Sequence, residues 1–129
     1  MSNPEPKGSV LARKAAEDAR AVGALTGNLE ISDEIIGFHA QQAIEKWLKA
    51  VIAFRGLQEE RIHDIGRLVQ ILEKAGIELP ERADELDELT IYAVPLRYGE
   101  LLDLEPLDRD ATVALLDGVE SWAMAQLGQ

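Results

Sequence analysis

From Asp33 to Phe54 the chain reads DEIIGFHAQQAIEKWLKAVIAF, and this stretch decides the fold class. At about 100° per residue, Ile36, Ala40, Ala43, Trp47, Ala50, Val51 and Phe54 fall on one narrow stripe. Ile44, Leu48 and Ile52 widen the apolar surface to roughly half the circumference. A helix coated this widely belongs at the centre of a bundle. Its polar remainder is Gln42, Glu45, Lys46 and Lys49, with His39 on the border between the faces. Ser32 and Asp33 offer capping groups at its start, and Arg55 and Gly56 close it.

Working outward, helical spacing recurs and β-branched alternation is nearly absent. Residues 1–7, with Pro4 and Pro6, read as a loose leader. A first helix is predicted from Gly8 to Leu25, with Val10, Ala15, Ala19 and Val22 inward. A third runs from Asp64 to Lys74 or Gly76, burying Ile65, Leu68, Val69 and Leu72. Pro80 stands where an N1 proline belongs, which predicts a fourth helix from Glu81 to Tyr92. Pro95 and Pro106 bracket VPLRYGELLDLEP, read as an ordered loop. Asp108 or Asp110 caps a last helix that reaches Leu127, with Val113, Leu116, Val119 and Trp122 inward. The expectation is an all-α antiparallel bundle of four to five helices, forming one domain over residues 1–129.

The chain has 129 residues, 47% of them hydrophobic and 29% charged, which suits a folded domain rather than a disordered one. It contains no cysteine, so thiolate chemistry and disulfides are excluded, and a reducing compartment suits it. No apolar run approaches the roughly 20 residues that cross a bilayer, and MSNPEPKGSV lacks a signal-peptide core. These points predict a cytoplasmic protein without a membrane partner. The net charge of −11 disfavours a broad grip on nucleic acid. The acids are unevenly spread. Residues 39–76 hold six bases, five acids and both histidines, whereas residues 81–110 hold ten acids and three bases. An anionic ligand is therefore expected in the first of these stretches.

FHAQQAIEKWLKAVIAFRGLQEERIHDIGRLVQIL, residues 38–72, resembles the signature stretch of the HEPN family of small helical domains. Gln41, Gln42, Ala43, Glu45, Lys46, Leu48, Lys49 and Ala50 match its F-x-A-Q-Q-A-x-E-K-x-L-K-A pattern, and His63 and Asp64 match its T-H-D-L. Arg97, Tyr98 and Gly99 resemble the start of its R-Y-P-D segment. Two departures matter. Ile62 replaces the usual threonine, removing the expected hydroxyl cap of the third helix. Many members are ribonucleases with an arginine followed, after four to six intervening residues, by a histidine; Arg61 has one residue between it and His63 and Arg55 has seven. The resemblance implies a homodimer, and a module that works with a nucleotidyltransferase-like partner in a toxin–antitoxin or related system.

The candidate ligand-binding residues are His63, Asp64, Lys46, Gln42, Arg97 and Tyr98. His63 and Asp64 open a helix, where backbone N–H groups and the dipole favour a phosphate, nucleotide or RNA. The plainer alternative makes Asp64 a helix-start charge and His63 a structural donor. Glu45 and Lys49 read as an i, i+4 ion pair on a solvated face. The competing activity is a metal-independent endoribonuclease, in a toxin or a defence nuclease, using His63 with Arg55 or Arg61, since phosphoryl transfer needs a base and a placed cation. No metal-ligand spacing and no glycine-rich phosphate loop is found, so no cofactor is expected.

Overall fold

The computed structural model describes residues 5–58, 61–94 and 104–128. Ser32 starts α2 (Asp33–Phe54): its hydroxyl accepts from the Ile35 N–H, and Asp33 and Glu34 put negative charge in the first turn. The helix ends at Arg55 and Gly56, whose φ of +69° is the left-handed value a glycine adopts without strain. Ile36, Ala40, Ala43, Ile44, Trp47, Leu48, Ala50, Val51 and Ile52 are all buried, as a central helix requires. Phe54 is the exception. It is 57% exposed, because the last residue of the stripe lies at the end of the bundle beside Gly8 and Leu127.

α1 (Lys7–Leu25) packs along α2 in the most extensive contact of the fold. Gly8, near its start, faces Ala50 and Phe54 near the end of α2, so the two run antiparallel. A Cβ at Gly8 would meet the Ala50 carbonyl oxygen at 3.2 Å, so glycine permits the close approach. The buried seam of α1 is Gly8, Ala12, Ala15 and Val22; Val10 is only half-buried, because two residues from both Gly8 and Ala12 it falls on the opposite side of the helix.

α3 (Ile65–Lys74) buries Ile65, Leu68 and Leu72 against α2 and ends at Ala75 and the left-handed Gly76. The fourth helix departs from expectation. Pro80 is followed by a turn in which Arg82 has φ +60°, so the α-helical part, α4, covers only Ala83–Leu86. Residues Asp87–Ala93 then wind as a 3₁₀ segment. In that tighter winding residues three apart eclipse, which puts Asp87 and Thr90 on one side, and both bond the start of α3. Tyr92 lays its ring across α2 at Gly37, where a Cβ would meet the ring at 2.6 Å.

α5 (Arg109–Gln126) is capped by Asp108, which accepts from the Ala111 N–H, and packs on α2 through Leu116, Val119 and Ala123. Its first residue has a long reach. The Arg109 guanidinium donates to the carbonyls of Thr26, Asn28 and Ile31 and to Asp33, while the other Asp33 oxygen accepts from the Leu107 N–H at 3.0 Å. The turn between α1 and α2 is thus pinned to the start of α5. The described residues form an all-α bundle built around α2, and none of their helices is long and apolar enough to cross a membrane.

Candidate functional site

α2 carries polar groups on both edges, and each edge is tied to a different neighbour. On one edge lies Glu45, whose side chain is only 4% exposed. Its Oε1 stands 2.7 Å from Nδ1 of His63, on the chain leading into α3, and 3.8 Å from Nζ of Lys49. One turn earlier, Gln41 is fully buried; its Nε2 donates to the His63 carbonyl at 3.4 Å and its Oε1 accepts from Gln42 at 2.7 Å. The helix therefore grips His63 by ring and by main chain, while the imidazole remains 66% exposed. The arrangement offers one solvated, oriented imidazole, able to exchange a proton or to meet an anion.

The other edge faces α1. Asp18 receives Lys46 Nζ at 2.6 Å on one oxygen and His39 Nδ1 at 3.2 Å on the other. Phe38 meets the His39 ring edge-on, and a cleft of about 430 Å³ opens beside them, walled by Ile35, Phe38, Tyr92 and Val94. This cleft is lined by His39, not by His63.

The candidate residues are accordingly divided. Gln42 joins His63 through Gln41, whereas Lys46 belongs to the Asp18 cluster. Arg55 donates to Gln126 at the end of α5, and no arginine among the described residues is bonded to the His63 ring. Arg61 is exposed and makes no side-chain bond to a described residue. Arg97 and Tyr98 lie outside the described residues.

Two expectations need correction. Glu45 is not on a solvated face: it is buried, and its closest partner is His63 rather than Lys49. The start of α3 does not offer free amides to a phosphate either. Ile65 N–H donates to Thr90 Oγ1, Gly66 N–H to Asp87 Oδ1 and Arg67 N–H to Asp64 Oδ1. Asp64 and Thr90 together replace the hydroxyl cap that Ile62 cannot provide. Gln41 and Glu45 are detectable in the pattern, because they share a face with Leu48 and Ile52 and polar groups there need partners. Asp18 gave no local signal.

Burial pushes the Tyr92 phenol above the ordinary tyrosine range, and the Asp33 carboxylate adds to the shift. The neutral form is the one the fold stabilises. The stability this group contributes is therefore complete below the unfolded value of about 10 and is lost as pH rises beyond it. Urea melts between pH 8 and 11 should show that fall in the wild type and a shallower one in Tyr92→Phe; parallel slopes would remove Tyr92 as the cause.

The fold and this polar surface define a class, the small helical bundles with a histidine held at the start of the third helix. The chain belongs to the HEPN domain family, whose model matches residues 10–121. No curated protein and no solved structure matches it. Among the described residues no group of three or more His, Asp or Glu side chains could hold a metal ion.

Proposed function

We propose that this HEPN protein is a binding module, acting as a homodimer with a nucleotidyltransferase-like partner in a toxin–antitoxin or related system, and that His63 and its neighbours contact a nucleotide or that partner. The observation that carries this reading over RNA cleavage is the company His63 keeps. Its ring is bonded to a carboxylate, while Arg55 is held at Gln126. Phosphoryl transfer needs positive charge placed on the scissile group, and no arginine among the described residues is bonded to the His63 ring to supply it. The acids of residues 81–88 add a surface that repels RNA. Family membership supports the homodimer, whose interface is expected to be isologous.

The test compares wild type with His63→Ala and Arg61→Ala on single-stranded RNA and in nucleotide titrations. The expected result is no cleavage by any of the three and at least roughly tenfold weaker nucleotide binding by His63→Ala, the loss of one charge-assisted contact. Cleavage by the wild type that both substitutions abolish would make the protein a nuclease. If neither cleavage nor nucleotide binding is seen, His63 belongs to a protein-partner surface, and copurification from the native host identifies that partner. Light scattering that gives a monomer at micromolar concentration would reject the dimer.

A further inference from the structure

The environment of His63 is asymmetric. One ring nitrogen faces a buried carboxylate at 2.7 Å, and the other has no bond to any described residue. A carboxylate as enclosed as Glu45 is tolerated when hydrogen bonds and positive charge answer it, and its partners here are His63 and Lys49. An ionised carboxylate only accepts hydrogen bonds, so the nitrogen facing it is the protonated one. Which nitrogen of a histidine carries the proton is set by the bond the other makes.

We infer that Glu45 is a positioning residue: it holds neutral His63 in the tautomer with the proton on Nδ1, so that Nε2 is the unprotonated nitrogen presented to solvent. Gln41 strengthens this by fixing the His63 carbonyl one turn away on the same edge of α2. The tautomer stands on this geometry alone. Its consequence rests on the binding reading above: when Nε2 takes up a proton against an anionic oxygen, Glu45 already balances the new charge from behind. Among the described residues Glu45 faces the ring, Lys49 stands 3.8 Å from that carboxylate on α2, and Arg61 and Asp64 are the charged neighbours of His63 in sequence.

Long-range ¹H–¹⁵N correlation spectra of the labelled full chain at mildly alkaline pH test the inference without any ligand. The chain has two histidines, so His63→Ala assigns the signals and His39, which is bonded to Asp18, serves as an internal reference. In the wild type His63 is expected to show a protonated Nδ1 and a bare Nε2. Glu45→Gln, whose amide oxygen still accepts from Nδ1, should retain much of that pattern. Glu45→Leu should shift the proton largely to Nε2 while His39 stays unchanged. A wild-type spectrum with the proton on Nε2 overturns the inference even if Glu45→Leu does not fold, and so does an unchanged tautomer in a folded Glu45→Leu. Inorganic phosphate is then titrated into the wild type. A response confined to the His63 signals supports the anion reading. No response, with the expected tautomer, overturns that reading and leaves the role of Glu45 standing.

Discussion

Trp47→Ala is expected to cost about 3–5 kcal/mol of folding stability, the range for removing a large aromatic side chain from a packed core. Trp47 is 3% exposed and sits in the middle of α2, with Ala43 and Ala50 one turn to either side, both fully buried. Small neighbours leave its volume irreplaceable, because alanines cannot extend to refill the space. Its indole N–H is buried without an acceptor among the described residues. Trp47→Phe gives up volume but also removes that unsatisfied donor, so it should cost much less than the alanine. Urea denaturation of the three proteins measures both differences. A cost below about 1 kcal/mol for Trp47→Ala would show that the site collapses freely and that the core is elsewhere.

The second large effect is expected at Arg109. Its guanidinium answers three backbone carbonyls of the α1–α2 turn and one oxygen of Asp33, and its side chain is 15% exposed. Removing it leaves those acceptors without their donor, an expected loss of about 2–3 kcal/mol for bonds made by a charged group. Arg109→Lys should recover little, since a single ammonium cannot span acceptors arranged for a planar fork. Thermal melts of both variants check this. If lysine restores nearly all the stability, the contribution is charge alone and not the fork.

The helices that sequence periodicity revealed are those whose ends are written locally. Ser32, Asp64 and Asp108 each cap the helix they precede, and Gly56 and Gly76 each follow the one they end. The segment after Pro80 departs from its local pattern because its form is decided elsewhere: Asp87 and Thr90 are turned toward α3, a destination no local pattern encodes. The site divides along the same line. His63 and Gln42 could be named from the family's motif, but the partner that orients His63 could not be read from the i, i+4 spacing of Glu45 and Lys49. That spacing is real, with the two ions 3.8 Å apart, yet the nearer neighbour comes from 18 residues away. Long-range pairs such as Asp18 with Lys46 and His39 exist because α1 lies against α2, which no local spacing encodes.

That one helix is at once the spine of the bundle and the wall of the polar surface also governs how the sequence can drift. Along α2 a change at Ala43, Trp47 or Leu48 registers in folding, and a change at Gln41 or Glu45 registers in both folding and the setting of His63, so few neutral substitutions are open to it. The outer face of α5, with Asp117, Gly118, Ser121 and Ala125 in solvent, carries no such double duty. Stabilising changes introduced there, beginning with Gly118→Ala, whose added methyl meets nothing within 4 Å, would supply the reserve that lets α2 accept substitutions it could not otherwise carry.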